Sequence, residues 1–181
     1  MTKVDRRVLK SQQSIKQAFI ELLSEKSFDE ITIQHIADRA NVGRRTVYLH
    51  YLDKYDLLDK LIEEHIHALE RLCQSSADLS FVEATRIWFD YFENNHAFFS
   101  TILVSKGAPS FRSGFFKLVI KELEGELNTA EGVNKGFSKE IIHDFFGKAV
   151  VGIVESYITN EISEPAHVVA EQVGLLLERN I

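Results

Sequence analysis

The chain has 181 residues, 45% of them hydrophobic and 27% charged, with a formal net charge of −6. That hydrophobic share supports a buried core and excludes a disordered chain. No uncharged apolar run approaches the roughly 20 residues that a membrane span requires.

There are only two prolines, Pro109 and Pro165, and apolar residues recur at spacings of three and four rather than alternating. This periodicity predicts an all-α chain of about nine helices. A first helix covers roughly 7–25, where Ile15, Ala18, Phe19, Leu22 and Leu23 form one core-facing stripe. Thr32 stands where an N-cap belongs, ahead of a short second helix in which Ile33, Ile36, Ala37 and Ala40 repeat at helical spacing. Asn41 ends it, because asparagine tolerates the left-handed backbone of a tight turn. A third helix covers roughly 44–51, and Asp53 with Asp56 resembles a cap before a long fourth helix over 54–75. Further helices are expected over 80–94, 96–105, 110–128, 138–160 and 164–179, with Pro165 in the first position of the last. The stretch 129–136, with Gly132, Asn134 and Gly136, is expected to be a mobile loop. No internal repeat or low-complexity tract occurs.

Charge is unevenly placed. Residues 1–52 hold nine Lys/Arg and six Asp/Glu, a balance of +3, whereas residues 53–181 hold twelve and twenty-one, a balance of −9. Only the N-terminal segment therefore favours a polyanion. The N-terminus, MTKVDRRVLK, lacks the apolar segment of a signal peptide, and Cys73 has no second cysteine to pair with. A cytoplasmic chain with no membrane association is expected, with Cys73 as structural filler.

Two short helices joined by a tight turn, the second presenting basic and polar groups, form the arrangement that enters a major groove. The segment 32–51 has that layout. Steps of 100° along the third helix place Val47 and Tyr51 on an inner side, joined by Val42 from the turn. Arg45 and Leu49 then face outward, flanked by Thr46 and Tyr48, with Arg44 at the helix start. Arginine can donate two hydrogen bonds to guanine, and an outward leucine can meet a thymine methyl. Thr46, Tyr48 and His50 suit phosphate oxygens, as do the free amides of the second helix near Thr32. Taken alone, an Arg-Arg pair is usually just a solvated face.

The stretch from Ile36-Ala37 through Val42, Thr46, Tyr48, His50-Tyr51 and Lys54 to Leu57-Leu58 resembles the DNA-binding signature of the TetR (tetracycline-repressor-like) family, with the first helix at the matching distance. The resemblance covers about residues 7–60. It implies base contacts from Gln34, Arg44, Arg45 and Tyr48, and phosphate contacts from Thr32, Thr46, Leu49, His50 and Lys54. It also implies a helix-turn-helix domain over 1–53 and a helical regulatory and dimerisation domain over 54–181. Two positions depart from the family pattern. Asn41 replaces a turn glycine, and Gly43 stands where Ser or Thr often caps the recognition helix, a change that costs only a few tenths of a kcal/mol but removes a possible phosphate contact.

A single head reads few base pairs, so a homodimer across a palindrome in double-stranded DNA is expected. The helix over 138–160 carries Ile142, Phe145, Phe146, Ala149, Val150, Ile153, Val154 and Tyr157, with Gly147 and Gly152 permitting close backbone approach. The last helix adds Val168, Val169, Val173, Leu175, Leu176 and Leu177. Together they resemble the family's four-helix interface, with Phe145, Phe146, Ala149, Val150, Ile153, Val173 and Leu176 as the expected contacts. The alternative is that both helices fill the protomer's own core.

The middle helices are rich in aromatics, from Phe81 to Phe116, which either line a pocket or pack as core. Trp88, Phe92, His96 and Phe116 are the candidate lining of a site for a small apolar effector, which in the family shifts the fourth helix and so the spacing of the two heads. Control by a partner protein, with the chain as a co-activator, is the other reading.

No nucleophile, acid/base or metal spacing marks an enzyme. His65 and His67, two apart on a helix, point to opposite sides, and no glycine-rich phosphate loop is present. No cofactor is expected. An α-helical module that binds only protein remains the competing class, and the basic residues of the third helix favour DNA.

Overall fold

The computed structural model describes residues 3–75, 79–126 and 128–181, so expectations touching Met1, Thr2 and Leu127 lie outside the described residues. Nine α-helices and two short 3-10 turns occur among the described residues, with no strand. The chain separates into two compact units, residues 1–64 with 101–108, and residues 65–100 with 109–181. The expected boundary at 53/54 falls within unit 1, at the start of the fourth helix.

In unit 1, α1 (Lys3–Glu25) begins earlier than periodicity suggests, but from Arg6 onward its first buried residue is Ile15. Its stripe, Ile15, Ala18, Phe19, Leu22 and Leu23, packs against α2 (Ile33–Arg39) and α3 (Arg44–Tyr48). A 3-10 turn, Phe28–Glu30, sets Phe28 edge-on to Phe19 and Tyr55, at ring separations of 6.2 and 4.9 Å. Thr32 caps α2 as expected: its hydroxyl accepts from the His35 amide at 3.2 Å, while His35 Nδ1 accepts from the Thr32 amide. Asn41 adopts φ 52°, the left-handed turn. α4 (Lys54–Ser75) is capped by Asp53, whose Oδ1 accepts from the Tyr55 and Asp56 amides at 2.8 and 2.9 Å. Asp56 reaches back to the Leu52 amide at 2.8 Å. The two aspartates thus share the entry of the helix, Asp53 taking first-turn amides that α4 leaves unsatisfied and Asp56 the Leu52 amide ahead of it.

Unit 2 is built from the rest of α4, α5 (Phe81–Asn94), α6 (His96–Leu103) up to Ser100, α7 (Ala108–Glu124) from Pro109, α8 (Lys139–Ile158) and α9 (Ala166–Asn180). Phe89, Phe92, Phe99, Phe111 and Phe115 are fully buried side chains of its core. Phe92 meets the Phe99 and Phe115 rings edge-on at 4.9 and 5.4 Å, a favoured aromatic geometry. α5 and α9 approach so closely that Gly174 lies on the backbone of Val82, and Thr85 donates across the gap to the Ala170 carbonyl at 2.8 Å.

Three local expectations are corrected. Pro165 is the N-cap of α9, with extended ψ 147°, rather than its first helical residue. The stretch 129–136 is not a free loop: it holds a 3-10 turn, Gly132–Asn134, and buried Asn134 donates to the Asn180 carbonyl at 2.6 Å. Gly132 and Gly136 take positive φ there, 77° and 82°. Gly147 does not admit a second backbone, because Phe116 and Ile120 of α7 already fill the space where a Cβ would stand, at 2.6 and 2.7 Å.

Candidate nucleic-acid interface

The reading element is short. α3 closes at Tyr48, with Leu49 as C-cap, and the His50 and Tyr51 amides both turn back to the Val47 carbonyl at 3.0 Å. Periodicity alone extends this helix to Tyr51, since the turn keeps Tyr51 on the inner side. Val47 and Tyr51 are buried, and Val42 is half-buried with its amide on the Ala37 carbonyl at 3.0 Å. The opposite side is open to solvent: Arg44, Arg45 and Tyr48 are exposed, and Leu49 is 74% exposed. Thr46 and His50 flank them, half-buried. Among the described residues no ion pair holds Arg44 or Arg45. Arg39, on α2, is by contrast clamped by Glu25 at 2.7 Å and Glu21 at 3.4 Å, so it braces α2 on α1. That fork also holds the Glu25 carboxyl below its ordinary range.

Thr32 and Gln34 are exposed at the start of α2, where Gln34 Nε2 donates to Asp38 at 2.6 Å. Lys54 is placed differently from expectation. Its ammonium lies 4.6 Å over the Phe28 ring and donates to the carbonyls of Phe28, Ile31 and Asp29 at 2.8, 2.9 and 3.1 Å. Three acceptors account for its three protons, leaving no donor for a phosphate. Lys54 is thus the tie between the start of α4 and the segment entering α2. The sequence carries no sign of this, because the acceptors are backbone atoms more than twenty residues away.

The expected dimer residues divide. Val150 and Val173 are buried within the protomer and cannot present a surface. Phe146 and Ile153 are half-buried. Phe145 is 67% and Leu176 53% exposed, and Ala149 is exposed too. Ile141, also 67% exposed, and Gly152 fall on the same side of α8 as Phe145 and Ala149, at helical spacing. Sequence reading missed Ile141, although its i, i+4 relation to Phe145 was available.

The four candidate pocket residues are not gathered. Phe92 is fully enclosed by other rings, His96 is exposed at the start of α6, and half-buried Phe116 packs on Gly147. Trp88 lines a cavity of about 270 Å³, whose wall includes Cys73, Phe81, Ala84, Val119, Glu122 and Leu177 but not the other three. Trp88 Nε1 donates to the Cys73 sulfur at 3.1 Å, and burial pushes that thiol up to about 12. Among the described residues no cluster of His, Cys, Asp and Glu could hold a metal ion. None of their helices is long and apolar enough to cross a membrane.

Comparison with known proteins agrees with this arrangement. A family profile described as "Bacterial regulatory proteins, tetR family" matches residues 15–61, and one described as "Transcriptional regulator C-terminal region" matches residues 81–179. YxbF of Bacillus subtilis (strain 168), an HTH-type transcriptional regulator, is 38% identical over 61 residues, which make up 33% of this chain and 16% of that protein. The match thus spans less than a fifth of that relative's length. A TetR transcriptional regulator from Streptococcus agalactiae 2603V is 26% identical, with 96% of each chain covered and a TM-score of 0.72. FadR from Bacillus subtilis, solved in complex with stearoyl-CoA, is 17% identical over 93% of this chain and 98% of its own, with a TM-score of 0.71. At that identity the likeness is one of fold.

Proposed function

The chain belongs to the TetR family of bacterial transcriptional regulators, and we propose that it represses its targets by binding a palindromic operator as a homodimer, releasing DNA when a small ligand enters the cavity beside Trp88. The observation that carries this reading is the exposed row Arg44, Arg45, Tyr48 and Leu49, mounted on buried Val47. A leucine 74% exposed beside two arginines and a histidine gives this row an apolar contact among its charged and polar ones. A major groove suits that mixture, because thymine methyls and guanine edges lie side by side there.

Residues 1–53 form the reading head and residues 54–181 the regulatory part. Arg44 and Arg45 read guanine, and Tyr48 contacts a base edge. Gln34 does so after exchanging Asp38 for an adenine. Thr32, Thr46 and His50 contact the backbone and fix the register, and Leu49 meets a thymine methyl or the sugar carbons beside it. Lys54 holds the head together and carries no phosphate. Pairing of two heads rests on the exposed side of α8, with Ile141, Phe145, Ala149 and Gly152, together with Leu176 of α9. Such a stripe is covered at little cost by its own two-fold copy.

Control by ligand is supported by the cavity and by α4, which carries both Cys73 in the cavity wall and Lys54 to Leu58 of unit 1. A shift of α4 would alter head spacing and so the fit to two half-sites. The cell's DNA, and therefore the cytoplasm, is the place of action. Duplexes selected by the intact protein from a random pool should share an inverted repeat, and affinity should fall steeply with salt. Selection without a common sequence, or binding insensitive to salt, rejects the reading.

A further inference from the structure

The charged groups on the wall of the cavity beside Trp88 are all of one sign. Glu122, Glu126 and Glu178 line it, and among the described residues no Lys, Arg or His does. Lys121, next to Glu122 in sequence, turns instead to Glu70. Glu122 is half-buried, and that burial raises its carboxyl above the ordinary range. The charge of Lys121 and a hydrogen bond from the Cys73 thiol offset only part of the cost of withdrawing this carboxylate from water, and the arrival of a further cation would relieve the rest.

The hydrogen-bond donors around the cavity are meanwhile spent inside the fold. The Ser80 hydroxyl donates to Glu83 at 2.9 Å and the Thr85 hydroxyl to the Phe81 and Ala170 carbonyls at 2.7 and 2.8 Å. The indole N–H of Trp88 is taken by Cys73. In the first turn of α5, the Val82 amide is taken by Glu178 at 3.3 Å, the Glu83 amide by Ser80 Oγ at 3.3 Å and the Ala84 amide by the Ser80 carbonyl at 2.9 Å. An anion would meet three carboxylates and hardly a donor. The remaining wall is apolar or aromatic: Leu79, Phe81, Ala84, Trp88, Val119 and Leu123. Trp88 and Phe81 put aromatic rings in this wall, and the face of an aromatic ring attracts positive charge. At roughly 30 Å³ per water-sized group, a cavity of about 270 Å³ admits a body of roughly ten non-hydrogen atoms.

We propose that this cavity is a receptor for a small organic cation, an ammonium or amidinium on an aromatic or branched aliphatic body, with Glu122, Glu126 and Glu178 facing the charge and Trp88 and Phe81 the body. The proposal rests on the reading of this cavity as the effector site and adds the chemistry of the effector.

Trp88 is the only tryptophan in the chain, so its emission reports the cavity directly. The probes are benzyltrimethylammonium, its neutral isostere neopentylbenzene, and 3-phenylpropanoate, each titrated into the intact protein. The cation should give a saturable change at a concentration roughly tenfold or more below that needed by the isostere, with the anion inert. Glu122→Gln should erase most of that preference, and Glu126→Gln, at an exposed position that folding tolerates, should narrow it. Equal binding of cation and isostere, preference for the anion, or no saturable change with the cation overturns the proposal. Operator affinity measured alongside separates the two readings. A cation that binds with the expected preference yet leaves DNA affinity unchanged upholds the site and removes it from control. Release of DNA by the neutral body alone does the reverse.

Discussion

Gly174→Ala sets two opposing effects against each other. In a helix interior, alanine is favoured over glycine by about 1 kcal/mol, so a survey of propensities alone predicts stabilisation. At Gly174, however, the added Cβ would fall on Val82 Cα, 2.7 Å from Val82 N and 2.8 Å from Thr85 Oγ1, against 3.4–4 Å for ordinary contact. Two of these three atoms belong to the α5 backbone, which cannot rotate aside as a side chain can. Relief needs α5 and α9 to separate by several tenths of an ångström or more. Such overpacking costs about 1–3 kcal/mol or more, and stretching the Thr85 to Ala170 bond about 1 kcal/mol further. The clash should win by about 2 kcal/mol, lowering the melting temperature by roughly 4–8 °C for a chain of this size. Gly152→Ala, with nothing within 4 Å of its Cβ inside the protomer, carries the propensity effect without a clash; because Gly152 lies on the proposed pairing face, it is compared in a Phe145→Glu background, where stability should be equal or improved. Both belong in one thermal unfolding series followed by circular dichroism at matched protein concentration, since dimers melt in a concentration-dependent way. A Gly174→Ala protein as stable as the parent would refute the packing of α5 on α9 described above.

Cys73 should resist thiol reagents in the folded protein, because a thiol moved from 9.0 to about 12 has about a thousandfold less thiolate at mildly alkaline pH; labelling as fast as in denaturant contradicts this. The raised value makes its contribution to stability complete below 9.0 and progressively lost as pH climbs from there towards about 12, so Cys73→Ala should flatten the alkaline limb of a pH–stability profile. Lys54→Met should destabilise the reading head by about 1–3 kcal/mol, since three carbonyls lose a charged donor, while the salt slope of DNA binding stays unchanged; a shallower slope returns Lys54 to the phosphates. Phe145→Glu should convert dimer to monomer in sedimentation without loss of helix content, and an unchanged mass would place the interface elsewhere.

Much of the fold was readable in the sequence because its signals are local. The Thr32 cap, the left-handed Asn41, the Asp53 and Asp56 pair and the α1 stripe each depend on residues within a turn or two, and all appear as expected. What escaped depends on distance in sequence. Asn134 pins its loop through Asn180, Lys54 serves carbonyls before α2, and Gly147 yields to Phe116, contacts for which no periodicity exists. The dimer and pocket residues fared unevenly for a related reason. A helix apolar on more than one side shows that it is buried on one, not which, so Val150 and Val173 could not be told from Phe145 and Leu176. Aromatic density likewise cannot separate a packed cluster such as Phe92 with Phe99 and Phe115 from the wall of a cavity. That wall instead showed itself through three carboxylates, Glu122 on α7, Glu126 just beyond its end and Glu178 on α9.

The most direct test of sequence readout by α3 is the affinity of Arg45→Ala for its selected operator and for random duplex, measured at one salt concentration. Loss of a two-pronged guanine contact should cost the operator about 1–3 kcal/mol, close to a tenfold to hundredfold weakening, and relax the preference at one base pair, with little change on random DNA. An unaltered ratio of operator to random affinity would contradict base reading by Arg45.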